Sequence, residues 1–360
     1  MSSNPKYIPF LDGFRGYAIL LVILGHLCME YLFLAQFGVT LFFFVSGFLI
    51  TKLLIEEYRK TNTIGLKDFY LRRLFRLYPA LLFYITITLI VIWVANYQLV
   101  ITDILAGLFY FTNYYLVYFP PVVPDNYPLT AKILWSLSVE EHFYLVFPVL
   151  FLYAYKPVTR RFLYIIGGLL VLILLIRIVL WLKSTDIIFT INETYYTTHT
   201  RADSILYGCF AALLIYAYPA TIVSRLYTRL LKVWLIPVLA VVVLLLSQKY
   251  EAAWYQITIK NTLTGGLLCL TVPSLLFADQ QVWILKPFVN RVILYIGKLS
   301  YSLYLFHWVS LKLVSTYYPT HDMKWYLLVT GLSFTLAAVS YHFVERPFLT
   351  LRRKFGSHAK

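Results

Sequence analysis

Long apolar segments alternate with short polar connections along the whole chain. Runs near or above the roughly 18 residues needed to cross a bilayer recur throughout the sequence. They predict ten membrane-spanning helices, at residues 15–35, 37–55, 74–95, 133–155, 162–182, 202–219, 232–248, 257–277, 292–315 and 325–345. The fold class expected from this pattern is all-α, a polytopic membrane helical bundle.

The apolar segment 101–119 is ambiguous, because it resembles an eleventh span. Basic residues cluster in the loops after the second, fourth and sixth spans, which marks those loops as cytoplasmic. A full crossing by 101–119 would move the basic loop 156–161 to the outer side. We therefore predict a re-entrant or interfacial segment there, with both termini in the cytoplasm.

Composition supports a membrane protein and excludes a nucleic-acid partner. Hydrophobic residues make up 61% of the chain and charged residues only 13%, far from the values of soluble domains. The net charge of +15 comes from Lys and Arg in short loops, a distribution that sets topology and does not form a polyanion groove. We predict one membrane domain over 1–348, in contact with membrane lipid, and a short basic cytoplasmic tail over 349–360.

The first predicted span carries two ionisable residues, Arg15 and His26. Eleven residues separate them, so both side chains lie on one helical face, about 16 Å apart along the axis. Ionisable groups within a membrane are costly and usually functional. The pair predicts a basic group near one surface and an imidazole near mid-depth.

Counting residues from the span ends places Ser46, Glu140 and His307 in the same band of depth as His26. For Ser46 and His307, a hydrogen bond to a neighbouring backbone carbonyl is an equal alternative. Glu140 lies in WSLSVEEHFYL, where three adjacent ionisable residues indicate a hydrated cavity or paired charges. A His beside a carboxylate would allow general base catalysis. We expect supporting or acceptor-side roles for Ser46, Ser138, Glu141, His142 and His307.

The run FYLRRLFRLYP places Arg72, Arg73 and Arg76 on little more than one helical turn. One interpretation is a membrane anchor that binds anionic lipid. The other is a phosphate clamp, since Arg donates bidentate hydrogen bonds to phosphate. The sequence leaves both open.

Other charged residues have structural interpretations. We expect Arg177 to extend toward the membrane surface and Arg201 to pair with Asp203, and Glu345 with Arg346 to anchor the last span. The sequence has no Walker-type, HExxH or CxxC motif, so it predicts no bound metal.

Seven blocks, in order, carry a resemblance to the acyltransferase-3 family of bacterial membrane O-acyltransferases. They are LDGFRGYAILLVILGH, FFFVSGFLI, FYLRRLFRLYP, WSLSVEEHFYL, RADSILYGC, LSYSLYLFHW and ERPF. Each block alone is a weak signal, but seven in order over most of the chain are specific.

The resemblance implies a multi-pass protein of the bacterial inner membrane. It implies acetyl-CoA from the cytoplasm as co-substrate, with no permanently bound cofactor, and a glycan or lipid-linked sugar as acceptor on the outer side. His26 would be essential for transfer, with Arg15 in support, and the arginines Arg72, Arg73 and Arg76 would engage the donor. The Ser138–Glu140 segment would serve the acceptor or the catalytic side.

The sequence departs from the family pattern in two respects. His142 stands where members often carry Gln, and the sequence ends at Lys360, whereas many members continue into a hydrolase-like domain. We therefore expect direct transfer or a separate extracytoplasmic transferase partner.

The predicted function is O-acylation, with His26 acting either as a base or as a transient acyl carrier, and with Glu140 orienting the imidazole or the acceptor. The alternative function is a proton-coupled transporter or a flippase for an envelope precursor. Tyrosines predicted in the outer connections are candidates for stacking on sugar rings, namely Tyr110, Tyr114, Tyr115, Tyr118, Tyr195 and Tyr196.

Overall fold

Every regular element in the described part of the chain is a helix. The computed structural model describes residues 8–28, 31–120, 131–156, 160–218, 222–233, 235–275 and 286–352. The helices are α1 (Pro9–Leu27), α2 (Leu32–Thr61), α3 (Leu66–Val94), α4 (Ile101–Leu108), α5 (Thr112–Tyr118), α6 (Trp135–Ala154), α7 (Arg161–Leu182), α8 (Ile187–Tyr196), α9 (Thr198–Arg201), α10 (Asp203–Ala212), α11 (Ile222–Lys232), α12 (Leu235–Gln248), α13 (Ala253–Ile257), α14 (Lys260–Ser274), α15 (Lys286–Val289), α16 (Arg291–Tyr317), α17 (Met323–Val339) and α18 (Arg346–Arg352).

Within the described residues, six helical stretches are long and apolar enough to cross a membrane. They are α1, α2, α3, α6 with the turn before it, α7, and the continuous stretch from α17 to α18. This agrees with a helical membrane protein, but the predicted count of ten spans is not confirmed.

The four remaining predicted spans differ from the six in length or in composition. Helices α10, α12 and α14 have 10, 14 and 15 residues, fewer than the roughly 20 that a bilayer core requires. A π-helical turn, Leu213–Ala217, lengthens α10. Helix α16 has 27 residues but is not among the six apolar stretches. It packs between α1 and α17, and a helix covered by protein can carry polar residues that a lipid-facing helix cannot.

The ambiguous segment 101–119 forms two short helices, α4 and α5, of 8 and 7 residues. Tyr110 lies between them with a positive φ of 54°, which interrupts the helical conformation. Neither helix reaches the length needed for a crossing. The buried Asp103 carboxylate accepts a hydrogen bond of 3.4 Å from the Ala131 amide, which ties α4 to the turn before α6. This geometry agrees with a segment that does not cross the membrane as a single helix.

Helices α1 and α2 form the centre of the bundle. Helix α1 packs against α2 and α16, while α2 packs on its other side against α10. Glycines allow the close approach of α2 and α10. A Cβ atom at Gly47 would lie 2.0 Å from the Ile205 carbonyl oxygen, and one at Gly208 would lie 2.0 Å from the Phe44 carbonyl oxygen. Small residues are a common means of close helix packing in membranes.

The C-terminal helix crosses the predicted boundary between the membrane domain and the tail. Helix α18 continues past residue 348 to Arg352 and packs on α3, and residues 353–360 of the predicted tail lie outside the described part. Glu345, expected to anchor a helix end, is instead buried and accepts a hydrogen bond from Ser302. Burial of the bundle's polar side chains is therefore more extensive than the sequence suggested.

Candidate functional site

Arginines from two helices line a cavity of about 110 Å³ inside the bundle. Helix α1 contributes Arg15, and α3 contributes Arg73 and Arg76. We call this space the arginine cavity. Arg15 is partly exposed and lies 3.9 Å from the Asp12 carboxylate, one turn earlier on the same helix. The cavity therefore collects positive charge from two segments that the sequence analysis had singled out separately.

A hydrogen-bonded group on the cavity wall joins α2 to α6, and a cation–π contact adds α3. Ser46 of α2 bonds both Glu140 and Tyr144 of α6, and the Tyr144 hydroxyl donates to Glu140 at 2.5 Å. The guanidinium of Arg73 lies 3.8 Å from the centre of the Tyr144 ring, a cation–π distance. Glu140 thus holds the tyrosine that supports Arg73.

Arg72 points away from the arginine cavity. It lies 3.3 Å from the Glu57 carboxylate, which also accepts a hydrogen bond of 2.8 Å from the Gly65 amide. A smaller cavity of about 70 Å³, which we call the third cavity, is lined by Arg72, Arg73 and Arg76. It shares Arg73 and Arg76 with the arginine cavity. The three arginines therefore form a continuous basic lining, but only Arg73 and Arg76 reach the arginine cavity.

A second, larger space of about 280 Å³ contains His26 in its wall, and we call it the histidine cavity. His26 occupies the last turn of α1, so the helix ends directly beyond the imidazole. Its other polar and aromatic lining residues include Gln36, Lys132, Trp135, Asn192, Tyr195, Tyr196, Arg201, Lys260, Asn261 and Trp308. Of the six tyrosines proposed to stack on sugars, Tyr195 and Tyr196 line this cavity.

When both imidazoles are neutral, the hydrogen bonds of His26 and His307 determine their tautomers. His307 Nδ1 lies 3.0 Å from the Leu303 carbonyl oxygen, which can only accept, so Nδ1 carries the hydrogen. His307 Nε2 is then unprotonated, or bare, and can only accept a hydrogen bond. It lies 3.0 Å from His26 Nδ1, which must donate. His26 Nε2 therefore keeps its lone pair. This is the nitrogen atom that a general base or a nucleophile requires.

Val39 and Tyr304 line both cavities and form the wall between them. Hydrogen bonds hold Tyr304 in place, because its hydroxyl lies 2.6 Å from the Ser136 hydroxyl and donates to the Ile133 carbonyl at 2.8 Å. Two side chains thus separate a basic space from a space that contains the bare imidazole nitrogen.

The four polar residues expected in one band of depth form two separate pairs. Ser46 bonds Glu140 at the arginine cavity, whereas His26 bonds His307 at the histidine cavity. Ser46 follows Val39 by seven residues on α2, about 10 Å along the helix. The hydrogen-bond partner of the His26 imidazole is His307, whereas Glu140 bonds Ser46 and Tyr144. A role of Glu140 toward the acceptor stays a prediction.

Three other predicted site residues on α6 are not lining residues of either cavity. Ser138 is buried and donates to the Leu134 carbonyl at 3.1 Å, a bond within its own helix. His142 Nδ1 lies 2.8 Å from the Thr198 hydroxyl of α9. Glu141 lies within electrostatic range of Arg73 and Arg76. His142 and Glu141 thus connect α6 to neighbouring helices, whereas Ser138 does not.

The charged residues assigned structural roles have different partners from those expected. Arg177 is fully buried and pairs with Asp203 at 2.8 Å, so it does not extend toward the membrane surface. Arg201 donates instead to neutral oxygens of Thr40, Asn261 and Ser204 and lines the histidine cavity. Lys132 and Lys260 of this cavity were missed, because cations near helix ends resemble topology signals in sequence.

Comparison with known proteins relates the chain to acyltransferases. The family profile described as an acyltransferase domain matches residues 8–342. The protein named O-acetyltransferase OatA from Staphylococcus aureus strain NCTC 8325 is 32% identical over 99% of this chain and 61% of its own length. A relative from strain MSSA476, whose name also contains O-acetyltransferase, is 32% identical over 95% of this chain and 57% of its own length.

The chain thus spans about three fifths of the curated relatives it matches. No solved structure matches it. The profile match over almost the whole chain, together with the two relatives, shows that the chain belongs to the acyltransferase-3 family.

Proposed function

We propose that this protein is a membrane O-acyltransferase that moves an acetyl group from cytoplasmic acetyl-CoA to a hydroxyl of a glycan or lipid-linked sugar on the extracytoplasmic side. The observation that carries the proposal is the pair of adjoining cavities, one lined by arginines and one containing a bare imidazole nitrogen. Family membership and the names of the relatives support acetyl transfer over other chemistry.

The donor would bind through the arginine cavity. Arg15, Arg73 and Arg76 offer several guanidinium donors, which suit the phosphates of coenzyme A. The pantetheine arm would then extend past Val39 and Tyr304 and present its thioester to His26. Arg15 and His26, about 16 Å apart on one face of α1, would mark the two ends of this path.

Transfer would use the lone pair of His26 Nε2. As a base, this nitrogen atom takes the proton of the acceptor hydroxyl while the oxygen attacks the thioester carbonyl carbon; the carbon–sulfur bond then breaks and the thiolate leaves. As a nucleophile, the same nitrogen atom attacks the thioester carbonyl carbon, the carbon–sulfur bond breaks and the thiolate leaves. The acceptor hydroxyl then attacks the acetyl-imidazole, the carbon–nitrogen bond breaks, and the hydroxyl proton passes to the released imidazole nitrogen. In both routes His307 holds the reactive tautomer of His26.

The proposed setting is the bacterial inner membrane, with both termini and the third cavity on the cytoplasmic side. Basic residues at the start of α3 and between α6 and α7 support that orientation. With ten crossings, α10, α12, α14 and α16 would complete the bundle beside the six long apolar stretches.

The test uses inverted membrane vesicles from bacteria that express the protein, because their outer surface is the cytoplasmic face. Vesicles receive radiolabelled acetyl-CoA, and label is measured in the extracted glycan and lipid-linked sugar fractions. We expect incorporation that depends on His26 and is lost in His26→Ala. His321→Ala is the matched control, since His321 stacks on Trp325 outside both cavities.

Full incorporation by His26→Ala would overturn the catalytic assignment. A burst of protein-bound, imidazole-linked acetyl group in the absence of acceptor would support the nucleophilic route. Vesicles that never incorporate label, but in which the protein drives movement of an envelope precursor, would favour the alternative of a flippase or proton-coupled transporter.

A further inference from the structure

We infer that the histidine cavity binds an anionic acceptor, a hydroxylated sugar that carries a carboxylate or phosphate group. The inference rests on the proposed function for the role of the cavity as acceptor site. Three of its lining side chains are cationic, Lys132, Arg201 and Lys260, and the described lining includes no Asp or Glu. The cavity is therefore positively charged as well as polar.

Arg201 is the strongest evidence, because it is a buried charge without a direct ionic partner on the cavity wall. Its side chain is 1% exposed, and its hydrogen bonds end on neutral oxygens of Asn261, Thr40 and Ser204, at 2.6, 2.6 and 3.0 Å. Its Nε atom is buried and has no hydrogen-bond partner among the residues that the structure describes. A buried charge is costly when it is not compensated.

The carboxylate that acts electrostatically on Arg201 is already engaged. Asp203 does not line the cavity and pairs with Arg177 at 2.8 Å, while Ser204 links it to Arg201. Two buried guanidinium groups therefore share one carboxylate, which leaves one positive charge in excess. A bound anion at the cavity would compensate it.

The two lysines extend the positive charge across the cavity. Lys260 donates a hydrogen bond to the neutral Gln36 side chain at 3.0 Å. It also interacts electrostatically with Glu251, which is not a lining residue of the cavity. Lys132 is exposed and acts electrostatically on His26. An anionic group held between these cations would place a neighbouring hydroxyl beside the imidazole.

Aromatic rings complete a sugar-binding wall. Trp135, Tyr195 and Tyr196 pack together, with ring centres 4.7 Å and 5.2 Å from Trp135, and all three line the cavity. Rings with amide neighbours suit a pyranose, whose C–H face stacks while its hydroxyls accept and donate hydrogen bonds. Charge and stacking together select an acidic sugar over a neutral one.

The experiment measures equilibrium binding to the purified full chain in detergent, without acetyl-CoA. The probes are an oligogalacturonide, the same oligosaccharide with its carboxyl groups reduced, and a glycerol phosphate oligomer. We expect at least one anionic probe to bind about tenfold more tightly than the reduced oligosaccharide at low salt. The preferred anion identifies a carboxylate or a phosphate as the recognised group. High salt should weaken this preference.

Variants locate the effect in the cavity. Lys132→Gln removes an exposed cation with little risk to the fold and should weaken anion binding about three- to tenfold, as should Lys260→Gln. Lys324→Gln, at an exposed cation beside Tyr318, is the matched control and should leave binding unchanged. Equal affinity for charged and reduced probes, or no effect of both lysine variants, would overturn the inference.

Binding with the expected charge preference, but no acetyl transfer to the bound probe from acetyl-CoA, would reject the proposed function and keep the anion site. Acetyl transfer to neutral sugars alone would keep the proposed function and reject the anion site.

Discussion

His307 Nε2 lies 3.0 Å from His26 Nδ1, and the Leu303 carbonyl on the far side of His307 fixes the direction of the hydrogen bond. The carbonyl cannot donate, so hydrogens point from His26 to His307 and from His307 to the backbone. The second ring nitrogen of His26 is thereby kept bare. In the proposed mechanism, His307 is therefore a positioning residue that acts through His26.

Replacing His307 should damage transfer more than donor binding. His307→Phe removes the acceptor for His26 Nδ1 and should lower the rate of acetyl incorporation about 100-fold, because general base catalysis typically contributes that much or more. His307→Gln, whose amide oxygen can accept the same hydrogen, should recover most of the rate. Equal loss in both variants would indicate a packing role alone. Acetyl-CoA binding, measured separately, should stay unchanged in both.

Arg73 and Arg76 should matter more for the donor than Arg72. The first two line the arginine cavity, whereas Arg72 faces Glu57 and lines only the third cavity. Arg73→Ala and Arg76→Ala should each raise the KM for acetyl-CoA about tenfold or more, because charge-assisted bonds to phosphate are strong. Arg72→Ala is the control of matched charge and should give a smaller rise. A larger effect from Arg72 would reassign the clamp to the third cavity.

Tyr144 should support Arg73 through its ring and Glu140 through its hydroxyl. Tyr144→Leu removes the ring that lies 3.8 Å from the Arg73 guanidinium and should raise the KM for acetyl-CoA about threefold to tenfold. Tyr144→Phe keeps the ring and should leave this KM close to normal. The comparison of the two KM values checks the cation–π contact, and identical values would exclude it.

The wall between the cavities should control transfer without controlling donor binding. Val39→Trp would fill the space that Val39 and Tyr304 share and should reduce acetyl incorporation at least tenfold, since small displacements from reactive geometry are expensive. The affinity of the Val39→Trp variant for acetyl-CoA, measured by equilibrium binding, should stay unchanged. Val39→Leu adds little bulk and is the control. Unchanged incorporation in Val39→Trp would show that the thioester takes another path.

The buried pair of Arg177 and Asp203 should stabilise the fold. Both side chains are almost completely buried, so Arg177→Met removes the direct ionic partner of Asp203, leaves only the link to Arg201 through Ser204, and should cost about 3–5 kcal/mol. Thermal denaturation in detergent would measure this as a lower Tm. Asp203→Leu leaves the buried guanidinium groups of Arg177 and Arg201 without that carboxylate and should lower the Tm more than Arg177→Met does. An Asp203→Leu variant as stable as Arg177→Met would contradict this account.

The sequence by itself determined the membrane class, the helical fold and the individual chemical groups. Apolar runs require helices because the backbone has no other partners in lipid, and seven ordered sequence blocks indicate the acyltransferase-3 family. His26, Arg15 and the arginines of α3 were identified because each is a costly residue in or beside an apolar segment. The shortness of α4 and α5 agrees with the interpretation of 101–119.

Only the tertiary structure decided which of these groups meet. Helical periodicity fixes which residues share a face of one helix, but the rotation and height of neighbouring helices depend on packing, such as the glycine contact of α2 with α10. For that reason Glu140 pairs with Ser46 and not with His26, Arg177 takes the Asp203 expected for Arg201, and Val39 with Tyr304 divides one expected site into two cavities.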